Sequence, residues 1–455
     1  MLNDTIIALA TPQGVGAIAV IRLSGEEAIA VTDRFFQKAD KNKTPLALQK
    51  THTVHFGSIV ATDGEIIDEV LVTLFVAPHS FTKENVVEIS CHGSPFIVER
   101  IVRLFLEAGV RLAKPGEFTQ RAFLNGRFDL AQAEAVADLI AADTDSARRS
   151  ALHQMRGGFS KEIKKLREEL INFASLIELE LDFGEEDVEF ADRDRLVHLV
   201  EQIMSFLERL MQSFSLGNVL KNGVPTVIAG KPNAGKSTLL NALLNEEKAI
   251  VSEIPGTTRD FIEDTLTIEG INFRFIDTAG LRQTDDRIEA LGIARTREKM
   301  AQAALIIYLF DIAETSISEV EAAAKELQQM GKNYLLVGNK VDKVTSDLLH
   351  HPDIIRISAA QNIGLDELKA ALLKAANARP VAVGETVVTN LRHYEALSKA
   401  HRALADVLTG LQSHVTADFV AIDIRHALRA LGEITGEITT EDLLGNIFSK
   451  FCIGK

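Results

Sequence analysis

Two glycines separated by four residues, with a lysine and a serine directly after the second, form the most chemically suggestive pattern in the chain. They are Gly230 and Gly235, followed by Lys236 and Ser237. Such glycines let backbone N–H groups turn inward around phosphate oxygens, and the helix expected next favours negative charge at its start. Lys236 is expected to reach the β- and γ-phosphates and to act in catalysis, and the Ser237 hydroxyl to ligate Mg²⁺. The pattern predicts a nucleoside triphosphate site.

Three further segments, in the expected order along the chain, indicate that the nucleotide is GTP. The segment from Asp277 to Gly280 can hold Mg²⁺ through water and sense the γ-phosphate. The segment from Asn339 to Asp342 ends in a carboxylate that can accept from both the N1–H and the 2-amino group of guanine, donors that adenine lacks there. Backbone N–H groups of residues 358–360 are expected to meet guanine O6. Each segment is weak alone, but the set predicts a GTPase.

These motifs must be positioned by the ends of buried strands, and the sequence supplies such strands. Runs rich in branched and aromatic residues alternate with helical patterns, which predicts a parallel sheet. The strands are expected at residues 226–229, 273–276, 304–310, 334–337 and 354–357.

The stretches on either side differ from this α/β region. Apolar residues with helical spacing in the proline-poor stretches 120–215 and 385–455 predict one helical domain made from two pieces. Before them, residues 1–118 mix predicted strands at 17–23, 54–60, 69–75 and 86–89 with helices near 26–36 and 95–108.

Charge and cysteine content limit the classes of function. The chain carries a net charge of −15, so it is not a general nucleic-acid coat, and any contact with RNA must be local or assisted by a partner. Its two cysteines, Cys91 and Cys452, form neither a disulfide framework nor a zinc-ligand pattern. The N-terminus lacks a signal peptide's basic region, and no stretch of 18 uncharged apolar residues is present. A cytoplasmic protein with no membrane association is predicted.

The central segment resembles a Ras-like GTPase domain of the translation-factor-related class, among the TrmE-Era-EngA-like GTPases. This resemblance makes residues 257–260 switch I, with Thr258 as the second Mg²⁺ ligand beside Ser237. The residues expected to contact GTP are Asn233, Ala234, Gly235, Lys236, Ser237, Thr238, Ser252, Glu253, Ile254, Pro255, Gly256, Thr257, Thr258, Asp277, Thr278, Ala279, Gly280, Asn339, Lys340, Asp342, Ser358, Ala359 and Ala360.

One departure from the commonest Ras-like pattern follows Gly280. Leu281 stands where water-positioning GTPases carry glutamine, and an aliphatic side chain cannot orient water. No arginine finger is identifiable, so another group must supply positive charge. The side-chain oxygen of Asn233 is a hard ligand suited to a monovalent cation. A loop-stabilising turn residue would look the same in sequence, so both interpretations of Asn233 stay open.

The flanks resemble the MnmE (TrmE) family of tRNA-modification GTPases over essentially the whole chain. The motifs that carry the resemblance include Lys114-Pro-Gly-Glu-Phe-Thr, Arg121-Ala-Phe-Leu-Asn-Gly-Arg127 and the terminal Cys452-Ile-Gly-Lys455. The resemblance implies an N-terminal domain that binds a one-carbon tetrahydrofolate (5-formyl- or methylene-tetrahydrofolate) and forms a homodimer. It also implies an FAD-dependent partner, MnmG (GidA), in a heterotetramer or larger complex. Together the two would add an aminomethyl or carboxymethylaminomethyl group to C5 of a tRNA wobble uridine.

The same resemblance implies the folate-binding residues. A basic residue in the second strand, a glutamate before a His-Gly pair, a basic residue after Phe-Leu-Asn-x and the terminal lysine correspond here to Arg22, Glu88, Arg127 and Lys455. Folate carries carboxylates and a pterin donor edge, so cations with one carboxylate form a complementary set. Taken singly, each of these residues would be interpreted as a surface or salt-bridge group.

The family's cation-dependent mechanism implies a K⁺ site and a water-positioning residue. Asn233 would ligate K⁺ together with backbone oxygens of Ser252, Ile254 and Thr257, and Glu289 would position the attacking water. By the same resemblance Cys452 would lie near the reactive folate carbon, as a possible reactive thiol or equally as a buried structural thiol.

The fold class predicted is therefore a multidomain chain of α+β and α/β character. Its expected parts are an N-terminal α/β tetrahydrofolate-binding and dimerisation domain, a discontinuous helical domain, and an inserted Ras-like P-loop GTPase domain. Two alternative functions remain open, a ribosome-assembly GTPase switch and a folate enzyme merely regulated by GTP. The expected boundaries are 1–118 for the folate domain, 119–215 and 383–455 for the two helical pieces, and 216–382 for the GTPase domain.

Overall fold

The computed structural model describes residues 4–39, 44–182, 193–248, 264–276, 298–344, 352–377, 385–413 and 417–454. The chain divides into two compact units. The first combines Met1–Ile140, Leu152–Val200 and Arg402–Lys455, and the second combines Ala141–Ala151 and Glu201–His401. The predicted four-part division of the chain stays a prediction.

The first unit contains, within the described residues, a seven-stranded sheet of order β3-β4-β5-β6-β2-β1-β7. All neighbouring strands are antiparallel except β1 and β7. The strands are β1 Ile6–Leu9, β2 Ile18–Ser24, β3 Phe36–Lys38, β4 Thr53–Val60, β5 Ile66–Phe75, β6 Val86–His92 and β7 Arg111–Leu112.

Side chains alternate between the two faces of this sheet. One face is buried against α1 Ala28–Phe35 and α2 Pro95–Glu107, and its core includes Ile21, Val72 and Ile89. The opposite face carries the row formed by Arg22, Glu88 and Thr73, which are cross-strand partners. A third helix, α3 Glu117–Leu124, follows β7.

The helices that follow belong to the stretch predicted to be helical. Apolar residues of these helices form the core of this part of the chain. Helix α6 (Gly158–Asp182) packs along α12 (Ala417–Thr435). The bounds are α4 Leu130–Ala141, α5 Asp145–Met155, α6 Gly158–Asp182 and α7 Arg193–Asn222, and later in the chain α11 Leu391–Gln412, α12 Ala417–Thr435 and α13 Glu441–Phe448.

The second unit contains, over the described ranges, a six-stranded sheet of order β13-β12-β11-β8-β10-β9. All neighbours are parallel except β9 and β10. Its strands are β8 Val224–Ala229, β9 Asp264–Ile268, β10 Ile271–Phe275, β11 Leu305–Asp311, β12 Asn333–Asn339 and β13 Ile354–Arg356, and its helices are α8 Lys236–Lys248, α9 Ile317–Gln329 and α10 Leu365–Ala375.

The predicted fold class is confirmed, and so is the parallel character of the central sheet. Near-continuous burial along β8 and β11 is what a parallel strand covered on both faces requires. The sequence patterns missed the antiparallel edge strand β9 and the short strands β1, β3 and β7. Within the predicted helical stretch 120–215, the apolar residue Ile140 at the end of α4 is 48% exposed.

Candidate functional site

The phosphate-loop motif lies between β8 and α8, as its spacing predicts. Gly230 has φ +146°, and a Cβ there would collide with the carbonyl oxygen of Leu309 on the neighbouring strand. Lys236 begins α8, and its Nζ donates to the carbonyl oxygens of Gly230 at 2.8 Å and Lys231 at 2.9 Å. Burial of the ammonium lowers the pKa of Lys236. The side chain of Lys236, which is expected to reach the phosphates, therefore bonds back to the loop that precedes α8.

Asn233 adopts a left-handed conformation in the middle of this loop, with φ +61°. Asparagine is one of the few residues that adopt this conformation readily, so the geometry fits a turn-stabilising role. Its side chain is exposed, so the amide oxygen is also accessible to a ligand. The turn role is thus compatible with the K⁺ role, which stays a prediction.

Asn339 connects the segment that is expected to read guanine to the predicted phosphate loop. At the end of β12 it is only 3% exposed. Its Nδ2 donates to the carbonyl oxygen of Ala234 at 2.8 Å, and its Oδ1 accepts from the backbone N–H of Ala359 at 3.0 Å. One buried side chain therefore holds three of the predicted GTP-binding segments together, a role that the sequence pattern did not indicate.

The residues next to Asn339 are fixed as well. Ser358 Oγ donates to Asp342 Oδ1 at 2.5 Å, which orients the carboxylate expected to read guanine. Lys340 has φ +68°, and its Nζ lies 2.7 Å from Asp311 Oδ2 at the end of β11. Burial raises the pKa of Asp311, but hydrogen bonds and charge from Lys340 outweigh it, so the pKa lies below its ordinary value.

A cavity of about 360 Å³ opens beside this segment. Thr238 on α8 lines it together with Ala359 and Ala360, three residues predicted to contact GTP. The N–H groups of Ser358 and Ala359 already donate within the protein, to Ile363 and Asn339. Of the three N–H groups expected near guanine O6, that of Ala360 is the one with no acceptor among the described residues.

Several predicted residues lie outside the described residues. Neither switch I nor the glutamate expected to position water is therefore placed. The predicted residues outside the described ranges are Ser252, Glu253, Ile254, Pro255, Gly256, Thr257, Thr258, Asp277, Thr278, Ala279, Gly280, Leu281, Glu289 and Lys455.

A second cluster forms in the first unit around Arg22 and Glu88, which face each other on β2 and β6. Arg22 Nε donates to Glu88 Oε1 at 2.9 Å, and Nη2 lies 2.7 Å from the same oxygen. The guanidinium also lies over the rings of Phe81 and Phe118, at 5.8 and 5.7 Å from their centroids. Cation–π contacts of this kind help to hold an arginine in place.

The C-terminal tail reaches this cluster. Arg22 Nη1 lies 3.4 Å from the carbonyl oxygen of Gly454, and the N–H of Gly116 donates to the carbonyl oxygen of Cys452 at 3.3 Å. Gly116 has φ +68°, and a Cβ there would approach the carbonyl oxygen of Phe448 to 2.6 Å. The tail therefore requires glycine at position 116 in order to pack here.

Arg127 is connected to Arg22 through two phenylalanine rings. Its guanidinium lies 5.4 Å from the ring of Phe128, whose centroid is 5.8 Å from that of Phe81. Three of the four predicted folate-binding residues thus belong to one connected set of contacts, here called the tail cleft: Arg22, Glu88 and Arg127, with Phe81, Phe118 and the tail residues 452–454. The aromatic contribution was not predicted, although Phe118 belongs to the Lys114-Pro-Gly-Glu-Phe-Thr motif.

Loop and helix packing position the walls of the tail cleft. Ser24 Oγ and Thr82 Oγ1 are 2.7 Å apart in a buried contact, and Asn125 Nδ2 donates to the carbonyl oxygen of Thr82 at 2.7 Å. These bonds fix the residues around Phe81. Cys452 is exposed, so its interpretation as a buried structural thiol is wrong. Its reactivity stays a prediction.

Comparison with known proteins decides the family. Residues 130–452 match the MnmE helical domain, and residues 5–127 match the GTP-binding protein TrmE N-terminus. A tRNA modification GTPase MnmE from Cytophaga hutchinsonii is 61% identical over 100% of this chain and 98% of its own length. The chain belongs to the MnmE family of tRNA modification GTPases.

Other MnmE proteins agree over the full length. Those of Christiangramia forsetii and Flavobacterium psychrophilum are each 52% identical over 100% of this chain, covering 100% and 99% of their own lengths. Among solved structures, the FeoB G domain of Methanococcus jannaschii covers 34% of this chain and 97% of its own at 22% identity. Its TM-score of 0.26 carries no weight.

Membership in the MnmE family makes this chain a GTPase that binds and hydrolyses GTP in tRNA modification. The ribosome-assembly alternative is thereby set aside. No helix in the described parts of the chain is both long and apolar enough to cross a membrane.

Proposed function

We propose that this GTPase is stimulated by K⁺ and, with the FAD-dependent partner MnmG (GidA), adds an aminomethyl or carboxymethylaminomethyl group to C5 of the tRNA wobble uridine. The carbon comes from a one-carbon tetrahydrofolate, either 5-formyl- or methylene-tetrahydrofolate. The protein works in the cytoplasm as a homodimer, within a heterotetramer or larger complex with its partner. The observation that carries the proposal is the tail cleft, because it joins residues from both ends of the chain.

The donor and acceptor groups of the tail cleft fit a folate. Both Arg22 contacts go to Glu88 Oε1, and Glu88 Oε2 has no hydrogen-bond partner among the described residues. That free oxygen can accept from the donor edge of a pterin, while Arg127 and Lys455 can bind carboxylates. Phe81 and Phe118 offer apolar surface beside a flat ring. In this arrangement the chain's own residues bind and orient the folate, and the bound folate supplies the one-carbon unit.

The nucleotide site fits Mg²⁺ and K⁺ in part. The Ser237 hydroxyl and the exposed amide oxygen of Asn233 are hard oxygen donors at the phosphate loop. The remaining proposed ligands are Thr258 for Mg²⁺ and Ser252, Ile254 and Thr257 for K⁺. A bound K⁺ supplies the positive charge that an arginine finger supplies elsewhere, Glu289 positions the water, and Lys236 binds the phosphates. Asp342 reads guanine.

The sheet of the first unit supports the proposed homodimer. Its face opposite α1 and α2 exposes Val54 at 58%, Phe56 at 53% and Leu71 at 45%, and Phe56 is the cross-strand partner of Leu71. Contiguous exposed apolar residues of this kind are typical of a surface that another protein covers. A second copy of the sheet offers the same residues in return.

Reconstitution tests the proposed reaction. The chain is combined with the FAD-dependent partner, tRNA lacking the modification, GTP, K⁺, methylene-tetrahydrofolate and, as the amine, either ammonium or glycine, and the wobble nucleoside is analysed by mass spectrometry. A mass increase matching an aminomethyl or carboxymethylaminomethyl group is expected, and it disappears when the folate or the partner is omitted. Modification that proceeds without added folate by folate-free protein would refute the proposed carbon source.

Hydrolysis in different cations tests the K⁺ proposal. GTP turnover should be fast in K⁺ and slow in Na⁺ at equal ionic strength, because charge neutralisation of this type contributes roughly 10³–10⁵ in rate in other GTPases. Asn233→Ala should lose the K⁺ stimulation, and Glu289→Ala should lose turnover, while both retain GTP binding through Lys236 and Ser237. Equal turnover in the two cations would rule this mechanism out and leave the GTPase assignment intact.

A further inference from the structure

A basic cluster lies at the junction of α5 and α6 in the first unit. Residues 156–167 hold five basic side chains and one carboxylate, in a chain whose net charge is −15. Arg156 follows the end of α5, and Lys161, Lys164 and Lys165 lie in the first two turns of α6. All four side chains are exposed.

The cluster is only partly neutralised: Arg167 is ion-paired with Glu437, and Glu168 and Glu169 follow it in the sequence. Lys164 lies 3.4 Å from Asp129 Oδ2, but Arg156, Lys161 and Lys165 form no ion pair with any described residue. Lys161 and Lys165 are four residues apart and so neighbour each other on the helix surface. A like-charge pair at this spacing destabilises the helix. A solvated helix face that served only solubility would more commonly alternate charges.

We propose that Arg156, Lys161 and Lys165, here called the α6 basic patch, contact the phosphodiester backbone of the tRNA substrate. The proposal rests on tRNA being the substrate and is independent of the K⁺ and folate proposals. Because the chain is strongly acidic elsewhere, RNA must be held at local basic sites, and this patch is one of them.

The composition of the patch favours RNA phosphate over a protein partner. The centres of protein interfaces are rich in aromatic anchors and depleted in lysine. Here the aromatic residue between the basic positions, Phe159, is 1% exposed and Ile163 is fully buried, so neither can anchor a partner. With no exposed ring to stack on bases, the patch binds backbone and reads no sequence.

The test compares two triple variants of the full chain. The first, Arg156→Gln with Lys161→Gln and Lys165→Gln, removes the patch. The second removes one arginine and two lysines elsewhere, as Arg34→Gln with Lys50→Gln and Lys325→Gln. The three replaced residues of this control are exposed and form no ion pair among the described residues, so the two variants change the net charge equally.

Binding of a fluorescein-labelled tRNA transcript is measured by anisotropy between 50 and 200 mM KCl, and thermal unfolding confirms that both variants fold. The patch variant should bind at least about tenfold more weakly at low salt, and the slope of log K against log salt should fall by about two, since each phosphate contact contributes about 0.7–0.9. A random RNA hairpin should show the same loss, because no base is read. GTP turnover without RNA should match wild type in both variants.

Three results would overturn the proposal. The first is unchanged affinity and slope in the patch variant, or a wild-type chain that does not bind tRNA. The second is an equal loss in the control variant, which would show that net charge alone matters. The third is unchanged RNA binding with a lost homodimer or lost binding of the FAD-dependent partner, which would make the patch a protein contact.

Discussion

The nucleotide site and the tail cleft are built in different ways. At the nucleotide site, short motifs follow the parallel strands β8, β12 and β13, so their ends meet at one edge of the sheet, and a single buried side chain, Asn339, joins them. In the tail cleft, Arg22, Glu88 and Gly454 come from opposite ends of the chain, and each contact depends on tertiary packing. Local motifs therefore indicate the residues of the first site, whereas only the family resemblance indicated those of the second.

The largest expected effect comes from removing the connection inside the nucleotide site. Asn339→Ala leaves the carbonyl oxygen of Ala234 and the N–H of Ala359 without a partner, and each buried unsatisfied group costs about 1–3 kcal/mol. We expect GTP affinity, measured by titration calorimetry, to fall by about 100-fold or more, and folate binding to stay at the wild-type level. Asn333→Ala is the matched control, because Asn333 begins the same strand and its Nδ2 donates to Ala375 at an exposed position. Wild-type GTP affinity in Asn339→Ala would contradict the role of this side chain.

A smaller effect is expected at Asp342, the carboxylate that we propose reads guanine. Asp342→Asn keeps the oxygen that accepts from Ser358 but replaces the other with an amide donor. GTP should bind about 10- to 100-fold more weakly, since hydrogen bonds to a charged group contribute about 1.5–3 kcal/mol. Xanthosine triphosphate should bind better, because its carbonyl complements the new amide. A competition assay that shows unchanged nucleotide preference would remove Asp342 from guanine recognition.

The smallest of these effects is expected at Arg22, because its replacement by lysine keeps the charge. Arg22→Lys loses the paired contacts to Glu88 and the planar contact with the two rings. Folate affinity should fall about tenfold, as for loss of one charge-assisted hydrogen bond, with GTP turnover unchanged. Arg34→Lys, an exposed position on α1, is the control. A folate affinity that survives Arg22→Lys would place the folate elsewhere.

Features that depend on residues close in the sequence could be predicted from it, whereas features that depend on contacts between distant residues could not. The strands that precede the GTP motifs are continuous apolar runs and were found, whereas β9 was missed because its Asp264–Ile268 run is half polar. Its hairpin partner begins after Glu269 and Gly270, both at positive φ, and this turn was the available signal. The Lys340–Asp311 ion pair joins the ends of two strands, so no local sequence pattern predicts it.

Residues of the tail cleft show the other limit. Arg22 and Glu88 looked like ordinary surface charges in sequence, and only family resemblance singled them out. Their pairing depends on the register between β2 and β6, and the tail contact depends on the left-handed conformations of Gly116 and Gly454. Neither composition nor periodicity predicts that these distant residues come into contact. The burial and pairing of Arg121 likewise follow no local pattern. Its side chain is 1% exposed and pairs with Asp4, Glu84 and Glu117 near α3.

The central claim is that the C-terminal tail completes a folate cleft that is chemically separate from the GTP site. The most direct test deletes residues 452–455 and measures 5-formyl-tetrahydrofolate binding, wobble-uridine modification and GTP turnover on the same preparation. We predict that folate affinity falls by about tenfold or more and modification is lost, since the tail's contacts to Arg22 and Gly116 disappear. GTP turnover should stay within about twofold of wild type, as expected for an independent site. Normal folate affinity and normal modification in the truncated protein would contradict the claim.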